Sequence, residues 1–146
     1  MTRVDFYLLE DRTLLAAARF ACRLAAKALD GAHQVHVHTR DEAAAAEFDA
    51  LLWTYPPHRF IPHDLAGDSA RHTGREAITI GHGDAPVGDD VLINLGTQVP
   101  DFFGRYERVA EIIVEDIRAE GRERYRYYRD CGYPLYHHDL ANWEES

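Results

Sequence analysis

The chain has one lysine and one methionine in 146 residues, against fifteen arginines, and only two cysteines. Each scarcity excludes something. A phosphate loop of the Gly-Lys-Ser/Thr type cannot be built, because the single lysine, Lys27, falls in the middle of a helical pattern. Cys22 and Cys131 lie in helical-looking segments, and neither has a Cys or His at metal-ligand spacing. They exclude a disulfide scaffold and read as reduced thiols packed like small apolar residues. No apolar run approaches the ~18–20 residues of a membrane span. The first apolar stretch, Val4-Asp5-Phe6, contains an acid and does not read as a signal peptide. There is no Gly-x-Ser-x-Gly elbow, no Cys/His pairing, no internal repeat, no low-complexity tract and no obvious linker. A soluble, cytoplasmic protein is expected.

What is present is ordinary for a folded domain: 46% hydrophobic and 28% charged residues. At this length a chain buries roughly 70% of its unfolded surface, so residues 1–146 are expected to form a single domain. Residues 4–9 read as a buried strand and 12–30 as a helix, with Leu14, Leu15, Ala18, Cys22, Ala25 and Leu29 on its apolar stripe. Val35 and Val37 alternate with His36 and His38 in a second strand. Thr39-x-x-Glu42 reads as a capping box opening a helix to about Trp53, which Tyr55-Pro56-Pro57 ends. Residues 59–62 look extended, with Pro62 favouring a sheet edge. Residues 63–76 read as loop, 77–80 as a strand, and Gly81–Gly88 as a turn-rich connection. Strands follow at 91–95 and 109–114, with a short helix at 101–107 between them and a helix from about 115 to 131 after them. The tail, about 136–146, has little pattern, and its end is expected to be mobile. Strand–helix alternation with apolar strands predicts an α/β three-layer sandwich, Rossmann-like, around a mainly parallel sheet.

That outline does not by itself imply a nucleotide site. The first strand–helix junction, Leu9-Glu10-Asp11-Arg12-Thr13, has no glycine and two acids, which repel a pyrophosphate. Gly81-x-Gly83 leads to Asp84 and Pro86 rather than a helix and reads as a plain turn, as does Asp89-Asp90 before its strand. His36/His38 and His137/His138 lack a nearby carboxylate or cysteine at ligand spacing, so structural histidines, exposed or half-buried, are expected. No cofactor or metal is expected.

Two surfaces are more specific. The net charge is −9, yet residues 118–129 hold five arginines and two acids. On a helix, Arg118, Arg122, Tyr125, Arg126 and Arg129 share one side, while Ile117, Gly121, Tyr128 and Cys131 face the sheet. Guanidinium forks beside a ring suit a ligand carrying carboxylates and an apolar group, such as an acidic peptide end. Single-stranded DNA is the less suitable ligand for an acidic chain, and a solvated arginine-rich face remains the plain alternative. The second surface runs from Leu51 to His63, with Trp53, Tyr55, Phe60, Ile61 and Pro62. Part of it is expected to face outward as a protein interface, with core filling as the other reading.

Leu52-Trp53, then Phe60-Ile61-Pro62-His63-Asp64-Leu65-Ala66-Gly67, resembles the signature of the chi subunit of bacterial DNA polymerase III. Phe6-Tyr7-Leu8-Leu9, Asp90 to Leu95, and Arg122-Glu123-Arg124-Tyr125-Arg126-x-Tyr128-Arg129 agree in order, so the likeness covers nearly the whole chain. It implies a Rossmann-like sandwich without a nucleotide site and a non-catalytic accessory subunit of the clamp-loader assembly. One side would bind the psi subunit, and the other the acidic, phenylalanine-ended tail of single-stranded DNA-binding protein. DNA would be met only indirectly, and a DNA helicase is a further candidate partner. The tail pocket carried over is Ile113, Arg118, Arg122 and Tyr125, with Arg126 and Arg129 beside it; Arg118 stands where the family pattern has a lysine. The psi surface carried over is Trp53 and Phe60, with Ile61 and Pro62. The alternatives are a nucleotide-binding α/β enzyme and a direct binder of single-stranded nucleic acid.

Overall fold

The apolar runs 91–95 and 109–114 become the middle of one sheet because strands covered by helices on both faces must be apolar on both. The computed structural model describes residues 1–57, 59–66, 77–83, 87–141 and 143. In chain order these form β1 (Arg3–Leu9), α1 (Leu14–Asp30), β2 (Val35–Thr39), α2 (Glu42–Leu52), β3 (His63–Leu65), β4 (Ile78–Gly81), β5 (Val91–Leu95), β6 (Arg108–Ile113), α3 (Arg118–Asp130) and β7 (Leu135–Leu140). Short 3-10 turns at Phe103–Arg105 and Glu115–Ile117 flank β6. The strand order is β3-β4-β2-β5-β6-β1-β7, and every pairing is parallel.

Alternation along the strands builds two cores. Val35, Val37, Ile93, Ala110 and Ile112 pack under α1 and α2. Val4, Phe6, Leu92, Val109 and Ile113 pack on the other face with Phe103, Tyr106 and Tyr128. The α/β sandwich read from the sequence is therefore observed, with a sheet that is parallel throughout rather than mainly so.

Several local expectations need correction. The buried side of α1 is Ala16, Ala17, Phe20, Ala21, Cys22, Ala25 and Ala26, while Leu14 and Leu15 are half exposed. Small alanines let the helix lie close to the sheet, and its first turn overhangs the rim. The cap of α2 is Asp41, whose carboxylate accepts from the Ala44 amide at 2.8 Å; Thr39 instead donates its hydroxyl to the Gly81 carbonyl at 3.1 Å. Residues 63–65, expected as loop, form edge strand β3, in the edge position that Pro62 favours for 59–62; 67–76 lie outside the described residues, as do 84–86 of the Gly81–Gly88 connection.

Cys131 is exposed rather than packed. Cys22 is buried, and burial pushes its thiol up to about 12. The largest miss is β7. Leu135–Leu140 lies beside β1, with Phe6 opposite His137 and Leu9 opposite Leu140. Beyond it Trp143 is buried edge-on against Phe20, with ring centroids 5.3 Å apart.

Candidate functional site

Helix α3 is set against the sheet by a buried carboxylate. Glu111 of β6 is fully enclosed and accepts hydrogen bonds from Arg124 Nε at 3.0 Å, Asn94 Nδ2 at 2.8 Å and the Tyr128 hydroxyl at 2.6 Å. Arg124 also donates to the Thr97 carbonyl at 3.0 Å. Burial pushes the Glu111 carboxyl up, against the pull of Arg124. Burial, and then the Glu111 charge, push the Tyr128 hydroxyl up as well. A buried charge is tolerated only when paired and hydrogen-bonded, so this network fixes how α3 is turned about its axis. The helix stops at Cys131 because Gly132 adopts a left-handed conformation, φ +86°, and Pro134 follows.

With Arg124 and Tyr128 facing in, Arg118, Arg122 and Tyr125 face a concavity between α3 and the β6–β1–β7 edge. This pocket has a volume of 380 Å³. Phe6 and Leu8 of β1 and Ile113 of β6 make an apolar floor, Arg118 and Arg122 stand at the rim, and Tyr125 and His137 close one side. Phe6 and Tyr125 meet edge-on, 5.3 Å between centroids. Gly121 belongs here for a steric reason: a Cβ would come within 2.9 Å of Ile113 Cδ1 and Cγ2, so only glycine lets α3 lie this close. Among the described residues, Arg118 and Arg122 are exposed and paired with no acid. Two unspent guanidiniums above an apolar floor can hold an anionic group attached to an apolar one.

The structure thus brings together Ile113, Arg118, Arg122 and Tyr125. Arg126 and Arg129 are exposed but do not line the pocket, and Arg129 lies 3.3 Å from Asp130. Four lining residues were not assigned to it from the sequence. Phe6 and Leu8 were legible only as strand residues, though period-two alternation puts both on the α3 face. Gly121 faces the sheet, as its helical position predicts, and lines the pocket from there. His137 depends on the pairing of β7 with β1, which carries no sequence signal.

The second surface lies across the sheet, near edge strand β3. Trp53, at the C-terminal cap of α2, is 53% exposed and Phe60 is 67% exposed, with ring centroids 5.9 Å apart. Trp53 also rests edge-on against His63 at 4.9 Å. Ile61 does not belong to this surface: it is 1% exposed and packs in the core under α2. Pro62 is half-buried, and its carbonyl accepts the Ile78 amide, continuing the β3–β4 pairing. Anchoring of 61–62 holds Phe60 outward.

Another cleft, of 470 Å³, opens at the C-terminal ends of β2, β5 and β6. In wound sheets a ligand crevice sits at such ends. Here the walls are mostly aliphatic, with Leu14, Leu15, Phe48, Leu51, Leu95 and Ile117; its charges are mixed, Arg40 and Arg124 beside Glu47 and Glu120, and the β1–α1 junction has no glycine. This apolar character does not fit a pyrophosphate. His36 is fully buried, neither exposed nor half-buried as expected, with Nδ1 2.7 Å from Thr79 Oγ1; burial, and then the proximity of His38, lower it to about 4. Among the described residues no three His, Cys, Asp or Glu side chains converge as a metal site. No helix among them is long and apolar enough to cross a membrane.

Residues 1–136 match the family described as DNA polymerase III chi subunit, HolC. The chain is 42% identical over 143 residues to DNA polymerase III subunit chi of Pseudomonas aeruginosa, covering 96% of this chain and 98% of that one. It is 32% identical to the subunit of the same name from Haemophilus influenzae, covering 90% and 92%, and 30% identical to that of Escherichia coli, covering 99% and 100%. The chain belongs to the DNA polymerase III chi subunit family.

Proposed function

We propose that this chi-family chain, an accessory subunit of DNA polymerase III in replication, is a non-catalytic tether. The pocket of α3 takes the acidic, phenylalanine-ended C-terminal tail of single-stranded DNA-binding protein. The Trp53/Phe60 surface holds psi, and through it the clamp loader. One observation carries the reading: Arg118 and Arg122, free of acids among the described residues, stand over the apolar floor of Phe6, Leu8 and Ile113. The guanidiniums match a terminal carboxylate and neighbouring aspartates, and the floor matches an aromatic side chain.

Exposed ion pairs are individually weak, so the affinity for one tail is micromolar-like and falls with salt. Several tails on one binding-protein oligomer raise the effective concentration. DNA is then reached through its binding protein, which suits a chain of net charge −9. A helicase docking on the same surface would compete with psi for Trp53 and Phe60.

The test is capture of single-stranded DNA-binding protein, intact or lacking its last residues, by the immobilised chain. Capture of the intact protein alone is expected. Equal capture of both forms contradicts the tail reading, and tight binding of an oligonucleotide alone contradicts indirect contact with DNA.

A further inference from the structure

His137 is the one titratable side chain of the α3 pocket without a role in the reading above. It projects from β7 between the α3 wall and the floor, opposite Phe6, with Tyr125 edge-on at 6.4 Å between centroids. We infer that His137 is a third anion-binding group of this pocket and makes capture of a carboxylate-ended peptide tighten as pH falls. The inference rests on the tail reading and adds its regulation.

The surrounding charges determine the sign. From α3, Arg118 and Arg122 face the same space, and Tyr125 contributes a neutral ring. From β1 and β6 come only Phe6, Leu8 and Ile113. On β7 itself Asp139, exposed and two residues along, shares the face of His137 and lies in register with Leu8. Glu111 is sealed beneath with Arg124, and Arg129 is beside Asp130. With a neutral imidazole the facing charges are two guanidiniums against one carboxylate; with an imidazolium they are three cations against one. A carboxylate seated between these groups favours the imidazolium, so anion and proton bind cooperatively. Peptide carboxylates titrate near pH 3.5–4 and stay charged throughout the window, whereas imidazoles gain their proton between about pH 8 and 5. Hence the ligand's own titration cannot mimic the effect.

The probe is a synthetic peptide bearing aspartates and ending in phenylalanine with a free carboxylate. Its affinity is measured by calorimetry at pH 5.5 and 7.5 at one ionic strength. For a charge a few ångströms away at the rim, acidification should tighten binding roughly threefold to tenfold. His137→Gln should respond to acidification by under about twofold, whatever its affinity at pH 7.5. His137→Lys, a permanent cation, should bind tightly and nearly equally at both pH values. His137 is exposed, so none of these variants threatens the fold. Binding by the wild type that ignores pH, or an unchanged pH response in His137→Gln, overturns this inference alone. Absence of binding at either pH overturns the tail reading and this inference together.

Discussion

Replacing Arg122 with alanine separates a binding role from a structural one. The side chain is exposed, pairs with no acid among the described residues, and stands at the rim of the 380 Å³ pocket. A guanidinium–carboxylate hydrogen bond contributes about 1.5–3 kcal/mol when well placed. Solvent access and the neighbouring Arg118 put this one at the lower end, about 1.5 kcal/mol, or roughly a tenfold loss in affinity. Arg122→Lys keeps the charge but not the fork and should fall between wild type and alanine. Raising salt shortens the screening length from about 10 Å at 0.1 M to about 3 Å at 1 M, so the difference should shrink. Stability should stay within about 0.5 kcal/mol, because an unpaired surface arginine exchanged for a good helix former costs little. The assay is calorimetric titration with a phenylalanine-ended acidic peptide, paired with thermal unfolding. Unchanged affinity at low salt refutes the assignment, and so does a large loss of thermal stability.

Trp53→Ala and Phe60→Ala remove exposed rings, so both variants should fold normally and lose association with a psi-type partner in co-purification; unfolding of both would mean that the rings belong to the core. Glu111→Ala strands the buried Arg124 guanidinium and two neutral donors and should cost about 3–5 kcal/mol, seen as a fall in Tm of roughly 10 °C; a negligible shift would show that the network does not hold α3. His36 is lowered to about 4 when folded, so the unfolded chain binds its proton first as pH falls from about 6.5. Stability is full above that window and declines by about 3 kcal/mol down to pH 4. The decline should be smaller in His36→Gln, and equal declines in denaturant titrations would contradict it.

The sheet and the α3 pocket were legible to different depths. β5 and β6 announced themselves as continuous apolar runs because helices cover both their faces. β7 did not, because an edge strand with exposed faces needs no apolar pattern: Tyr136, His137 and His138 meet solvent on it. The same cause hid His137 from the pocket. Helical spacing put Arg118, Arg122 and Tyr125 together correctly, since i and i+4 neighbours need no tertiary information. Spacing could not show where the pocket ends, which is why Arg126 and Arg129 were grouped with it. Nor could it show that Arg124, in the same arginine run, turns inward to Glu111, a partner thirteen positions away on another element. At the second surface the extended segment hid its own alternation: Phe60 points out and Ile61 points in, and the sequence 59–62 alone gives no register.

The claim on which the rest depends is that α3 and the β6–β1–β7 edge form the receptor for an acidic, phenylalanine-ended chain end. An amide chemical-shift titration with that peptide tests it most directly. The account predicts that perturbations concentrate at Phe6, Leu8, Ile113, Gly121, Arg122, Tyr125 and His137. Perturbations gathered instead around Trp53 and Phe60, or around Leu14 and Leu51, would contradict it.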